Sequence, residues 1–160
     1  MHSLLRTAGF AAILCAASLS SAMAEDAFYA GSWKITEVVK APWAKSDAEL
    51  DQDEMKTLVG KTITLKSDAV DGPGSFPCKG PHYEVMQGGP DMLFQGMFGQ
   101  MHDESASADP QKLAEQAGFT GTHFRTVITG CEYAVDFSFG TGNDTAMFAL
   151  NNALYTLKRE

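Results

Sequence analysis

The sequence predicts a mainly β protein, an antiparallel meander that closes into a small barrel of about eight strands with two short helices. Short segments alternate apolar and polar residues with a period of about two, which is typical of half-buried strands. Turn residues, chiefly glycine, asparagine and aspartate, separate these segments. Near the C-terminus four such segments follow one another, and closing a meander of this kind into a barrel removes its exposed edges.

A long strand and a helix are predicted at the start of the domain. The strand covers residues 28–39, because Trp33, Ile35 and Val39 share one parity while polar residues occupy the other. The helix covers residues 47–58, since a capping box and several acidic residues open the segment and a glycine follows it.

The middle of the chain is predicted to contribute three strands and a second helix. The strands are expected at residues 61–66, 82–86 and 92–98, and the alternative for 92–98 is that it belongs to a loop. The helix is expected at residues 111–117, because Asp109 is a suitable N-cap and Pro110 is a suitable first helical residue.

Four successive strands are predicted at residues 122–129, 132–139, 145–150 and 153–158. The first two would form a hairpin with a tight turn at residues 130–131, since this register segregates the apolar side chains to one face. The cross-strand pairs predicted on the other face are Thr129 with Glu132, Val127 with Ala134, and Arg125 with Asp136.

Residues 1–24 are predicted to be a secretory signal peptide. Arg6 precedes the apolar run at residues 10–19, and Ala22, Met23 and Ala24 form a small-x-small cleavage site. The apolar run is shorter than the roughly 20 residues of a membrane helix, and no later stretch approaches that length. We therefore expect cleavage after Ala24, a single domain at residues 25–160 that does not span a membrane, and a location in the periplasm or outside the cell.

The charge of the mature chain argues against two classes of partner. Residues 1–24 contain one basic residue, so the remaining 136 residues carry 11 lysines and arginines against 20 aspartates and glutamates. The net charge becomes about −9, and such a chain would be repelled by nucleic acid and by anionic membrane surfaces. We expect a monomer without a cofactor.

Cys78 and Cys131 are the two cysteines that remain after cleavage. In an oxidising compartment such a pair is expected to form a disulfide. No Cys-x-x-Cys motif occurs and the two residues lie far apart in the sequence, which favours a structural bond over a redox or metal role.

Gly31, Ser32 and Trp33, at the head of the first predicted strand, resemble the Gly-x-Trp signature of lipocalin-like barrels of the calycin type. The resemblance implies a barrel whose tryptophan closes one end and whose binding cavity opens at the other. The function it implies is that of an exported, non-catalytic protein of the cell envelope that binds a small apolar ligand. The residues expected to bind this ligand are Trp33 at the closed end and Phe94, Met97 and Phe98 near the open end.

Two further functions stay open. The chain is also similar to small periplasmic barrels that inhibit proteases or lysozyme, which implies that a loop at residues 87–104 inserts into a hydrolase of the envelope or outside the cell. Alternatively, Met97, Met101 and His102 offer thioether and imidazole ligands suited to Cu(I). Nucleophile, zinc-protease and phosphate-binding motifs do not occur in the sequence, so an enzyme is the least supported class.

Overall fold

The computed structural model describes residues 27–132 and 135–160, so the predicted signal peptide lies outside the described residues. The described chain forms one curled half-barrel sheet of nine antiparallel strands with three short helices, which confirms the mainly β meander. The strands are β1 (Gly31–Lys40), β2 (Thr62–Leu65), β3 (Ala69–Asp71), β4 (Cys78–Lys79), β5 (Glu84–Gly88), β6 (Phe124–Ile128), β7 (Phe137–Phe139), β8 (Thr145–Leu150) and β9 (Ala153–Arg159). The helices are α1 (Gln52–Leu58), α2 (Leu93–Glu104) and α3 (Pro110–Gln116), and a turn of 3-10 helix covers Pro90–Met92.

The order of the strands across the sheet is β4-β3-β2-β1-β9-β8-β7-β6-β5. The two edge strands, β4 and β5, are therefore consecutive in the chain and are joined by residues 80–83. The predicted disulfide between Cys78 and Cys131 is confirmed, and it links β4 to the segment that follows β6. Beside it, the backbone N–H of His82 donates to the carbonyl oxygen of Thr129 at 2.8 Å. The connection and the disulfide together hold the two ends of the sheet near each other.

β1 follows the predicted alternation only in its first half. Trp33 and Ile35 are buried as expected, but Val39 is 43 % exposed. The pairing of β1 with β9 contains a β-bulge between Ile35 and Glu37, which shifts the parity by one residue. Val38 consequently packs against the core in place of Val39.

The strand predicted at residues 92–98 is wrong, because this segment is helical. Pro90 opens a turn of 3-10 helix, and α2 follows from Leu93. The side chains of Leu93, Phe94 and Phe98 are buried against the sheet. A short apolar segment fits either a strand or a helix, and packing on the sheet decides the outcome here. The structure consequently has three helices where two were predicted.

Side-chain caps explain where the other two helices begin. Asp51 accepts hydrogen bonds from the backbone N–H groups at the start of α1, so this helix begins at Gln52 and not at residue 47. Asp109 caps α3 in the same way, with Pro110 at the first helical position as predicted.

The register predicted between β6 and β7 is also wrong. Val127 pairs with Phe137, and Arg125 pairs with Phe139, three residues beyond the predicted partners. β6 ends at Ile128 and β7 begins at Phe137, while Cys131 between them is bonded to Cys78 of β4. Two of the predicted pairs therefore do not form, and Ala134, the partner in the third, lies outside the described residues.

The sheet carries apolar residues on both faces. We call the face toward which it curls the inner face and the opposite one the outer face. On β8, Phe148 belongs to the inner core, whereas Met147 belongs to the outer core. Helices α2 and α3 pack on the outer face, with Phe98 fully buried between them and the sheet. No helix within the described ranges is long and apolar enough to cross a bilayer.

Candidate functional site

The inner face is filled with packed aromatic side chains. Phe148 and Tyr155 stack with ring centroids 4.9 Å apart, and Trp33 meets Phe139 edge-on at 5.3 Å. The indole N–H of Trp33 donates to the carbonyl oxygen of Tyr29 at 2.8 Å, and the residue is 1 % exposed. Trp33, the first of the predicted ligand-binding residues, is therefore part of the inner core.

Arg159 covers the other side of this tryptophan. Its guanidinium carbon lies 4.2 Å from the centre of the Trp33 ring. The same guanidinium donates to the backbone carbonyls of Phe28, Ala30 and Asn143, so it ties the segment before β1 to the end of β9.

A cavity of about 480 Å³ lies between the outer face and the beginning of α2, and we call it the outer cavity. Met86 of β5 and Thr126 of β6, which are paired across the ladder, both line it. The full lining consists of Met86, Gln87, Gly88, Asp91, Met92, Gln95, Gly96, Thr126 and Asp136. Its walls are therefore an edge of the sheet on one side and the entry to a helix on the other.

Glycine and proline shape the helical wall of the outer cavity. Gly88 leaves room for the side chain of Met92, since a Cβ atom at residue 88 would lie 2.4 Å from the Met92 sulfur. Pro90 then starts the 3-10 turn that carries Asp91 and Met92 along the cavity. A larger residue at position 88 would push Met92 out of its place.

Three consecutive residues in the left-handed region interrupt the start of α2. Phe94, Gln95 and Gly96 have φ values of 52°, 61° and 80°. This conformation costs roughly 1 to 2 kcal/mol for each residue that is not glycine, and such strain concentrates at functional sites. Its effect is to send Phe94 into the outer core, where it is 5 % exposed, while Gln95 lines the cavity.

A second cavity of about 170 Å³ adjoins the first, and we call it the small cavity. Gln95 and Asp136 line both cavities, and we call this shared wall the junction. The lining of the small cavity is Trp43, Phe94, Gln95, Met97, Asp136, Ala149 and Asn151. Two of the predicted ligand-binding residues, Phe94 and Met97, thus line a cavity, whereas Phe98 lies fully buried in the outer core.

Asp136 is the half-buried carboxylate at the junction of the two cavities. Burial raises the pKa of Asp136 above its ordinary value, and a hydrogen bond with the Gln95 side chain opposes part of that rise. Asp91 is the other charged residue that lines the outer cavity. The charge facing this space is therefore negative, next to the thioethers of Met86 and Met92.

The predicted cross-strand pairing of Arg125 with Asp136 is replaced by other contacts. Arg125 lies 3.8 Å above the ring of Phe28 and donates to the side-chain oxygen of Asn143. The sequence alone did not lead us to assign Asp136, Gln95 or Met86 to a binding site. The available signal was an acidic residue inside an apolar segment, since Val135 and Phe137 flank Asp136.

The proposed copper ligands lie on different sides of α2. Met101 packs against the outer core, as does Met97. His102 is exposed, and its Nδ1 atom lies 3.1 Å from the carbonyl oxygen of Ala108. Within the described residues, no group of three or more histidine, cysteine or acidic side chains is arranged to hold a metal ion.

The segment 87–104, predicted as an inserting loop, forms the end of β5, the 3-10 turn and α2. Its apolar residues Leu93, Phe94 and Phe98 face the sheet, and Met92 is 43 % exposed. Most of its apolar surface is therefore used in packing within this chain.

Comparison of the chain with protein-family models, with curated proteins and with solved structures gave no match. The chemistry of the two cavities has to be read from their own residues. They combine thioether and aromatic surface with amide groups and one half-buried carboxylate.

Proposed function

We propose that this protein is an exported, non-catalytic binding protein of the cell envelope, and that it holds a small apolar ligand in the outer cavity. The observation that carries the proposal is the cavity of about 480 Å³ beneath the start of α2. Its volume falls within the usual span of roughly 300 to 1,000 Å³ for small-molecule sites. The location differs from the interior of a lipocalin-like barrel, because aromatic side chains occupy the inner face.

The lining of the outer cavity suits an apolar ligand of variable shape. Met86 and Met92 are unbranched and polarisable, so their side chains adapt to different ligand surfaces. They are 37 % and 43 % exposed, and a ligand seated between them would remove apolar surface from water. Thr126 and Gln95 supply a hydroxyl and an amide that can orient the ligand.

Binding is favoured over catalysis by the partners of Asp136. Its hydrogen bond comes from the amide of Gln95, a group that neither accepts nor supplies a proton readily. The described lining of the two cavities contains no histidine, cysteine or serine that could act with this carboxylate, and its one hydroxyl group, on Thr126, is a weak nucleophile unless a base activates it. Nucleophilic or acid–base chemistry would need such a pair.

A matched pair of substitutions on β5 tests the proposal. Met86 and Val85 are adjacent and similarly exposed, but Met86 lines the outer cavity and Val85 does not. We would titrate the mature protein with the neutral fluorescent probe N-phenylnaphthylamine. Met86→Glu places a charge in the cavity and should weaken probe binding by about tenfold or more, whereas Val85→Glu should leave it unchanged.

The comparison of the two variants distinguishes probe binding in the outer cavity from probe binding elsewhere on the protein. Equal affinity of the two variants would show that the probe binds elsewhere, and an absence of binding to the unmodified protein would refute an apolar site. Native mass spectrometry of the protein purified from its own host, before and after denaturation, would then identify any molecule that it carries.

A further inference from the structure

The outer and small cavities lie side by side and share the lining residues Gln95 and Asp136. On one side the walls are the thioethers of Met86 and Met92, and on the other they include the aromatic rings of Trp43 and Phe94. A ligand that occupies both cavities must pass the Asp136 carboxylate. We propose that the ligand is a cationic amphiphile, with an apolar chain in the outer cavity and a protonated amine beside Asp136 in the small cavity. This inference rests on the proposed function.

The small cavity has the groups that recognise an ammonium ion. Trp43 and Phe94 both line this cavity, with ring centroids 5.6 Å apart at an interplanar angle of 52°. Aromatic faces attract ammonium groups, and tryptophan does so most strongly. Asp136 and the side chain of Gln95 add a carboxylate and an amide oxygen as acceptors. A volume of about 170 Å³ is enough for a compact head group but small for a long chain.

The ion pairs of the described residues do not involve the Asp136 carboxylate. The ion pairs found in the described residues are Lys56 with Asp53 and Lys66 with Asp71, and neither involves a cavity residue. The charged side chains that line the outer cavity, Asp91 and Asp136, are both acidic. An anionic head group would therefore be repelled here, and a cation would be attracted.

The desolvation of Asp136 also favours a cationic ligand. Half-burial makes its ionised form costly, and that cost raises the pKa of Asp136. An ammonium ion held beside the carboxylate would offset the cost with a charge-assisted hydrogen bond. The acidic mature chain, with a net charge of about −9, would also attract a cationic ligand from solution.

Three probes with ten carbon atoms each and different head groups test the head-group preference. We would measure displacement of N-phenylnaphthylamine by decylamine, decanol and decanoate at neutral pH. Decylamine should bind about ten- to a hundredfold more tightly than decanol, which is the range expected for a hydrogen bond to a charged group. Decanoate should bind most weakly.

Two isosteric variants isolate the role of the junction. Asp136→Asn should remove most of the preference for decylamine over decanol, and the aromatic rings account for what remains. Asp103→Asn removes the same charge from an exposed position of α2, so it should keep the preference for the amine. Trp43→Leu gives a second test that leaves the carboxylate in place, and it should reduce the affinity for decylamine more than that for decanol.

The possible results are distinguishable. Equal binding of decylamine and decanol to the unmodified protein, or tighter binding of decanoate, overturns the amine proposal while the apolar site stands. An undiminished preference for the amine in Asp136→Asn also overturns it. If none of the three probes displaces N-phenylnaphthylamine, the proposed function itself fails.

Discussion

Loss of the disulfide should remove a large share of the stability of the fold. Cys78 and Cys131 are separated by 53 residues, and closing a loop of that length restricts the unfolded chain. The chain-entropy relation gives about 4 kcal/mol for this loop at room temperature. Small domains have a total free energy of unfolding of roughly 5 to 15 kcal/mol. The double variant Cys78→Ser/Cys131→Ser should therefore fold, but its free energy of unfolding should be much lower.

Urea denaturation of the mature protein measures this effect. With a denaturant slope of about 2 kcal/mol per molar urea, a loss of about 4 kcal/mol lowers the midpoint by about 2 M. The tertiary structure adds a local consequence. β4 has only two residues and pairs with β3 alone, so the disulfide is its tie to the other end of the sheet. Hydrogen exchange should accelerate most in β3 and β4.

Chemical reduction is the control for the substitutions. Dithiothreitol should lower the midpoint of the unmodified protein to that of the double variant, and it should not affect the double variant. A midpoint change below about 0.5 M would refute the reasoning, because it would mean that the loop constraint contributes less than about 1 kcal/mol. Uniform acceleration of exchange over all nine strands would refute the local role of the bond at the sheet ends.

Three further predictions concern single side chains. Tyr155 donates to the Glu54 carboxylate at 2.5 Å, so Tyr155→Phe should lower the free energy of unfolding by about 1 to 2 kcal/mol in a urea titration. Because burial raises the pKa of Asp136, the folded state keeps that proton to higher pH than the unfolded chain does. The free energy of unfolding should then decrease as pH rises from about 4 through the folded pKa, and Asp136→Asn, compared by urea midpoint across that range, should lack this decrease. Arg159→Lys should lower thermal stability by about 1 to 2 kcal/mol, because a single ammonium cannot cover Trp33 and bind three carbonyl groups together; an unchanged melting temperature would contradict this.

Several elements could be predicted from the sequence because they depend on neighbouring residues or on a unique partner. The strands at 145–150 and 153–158 follow from alternation around an asparagine turn, and the structure differs by a single residue at one end. Asp109 and Pro110 define the beginning of α3. Cys78 and Cys131 were the one possible pair once residues 1–24 were set aside.

The remaining features depend on contacts between distant parts of the chain. Local alternation shows which residues share a face but not how two strands align, so the sequence near Val127 did not indicate the observed β6–β7 register. The apolar residues of 92–98 fit a strand or a helix until the outer face of the sheet offers them a surface. Gln95 and Asp136 come close together because α2 packs on that face. The sequence around each residue does not indicate this contact, because the two residues lie far apart in the chain. The sequence by itself determined the class of fold and the covalent bond, whereas tertiary packing decided where the cavities lie and which carboxylate they share.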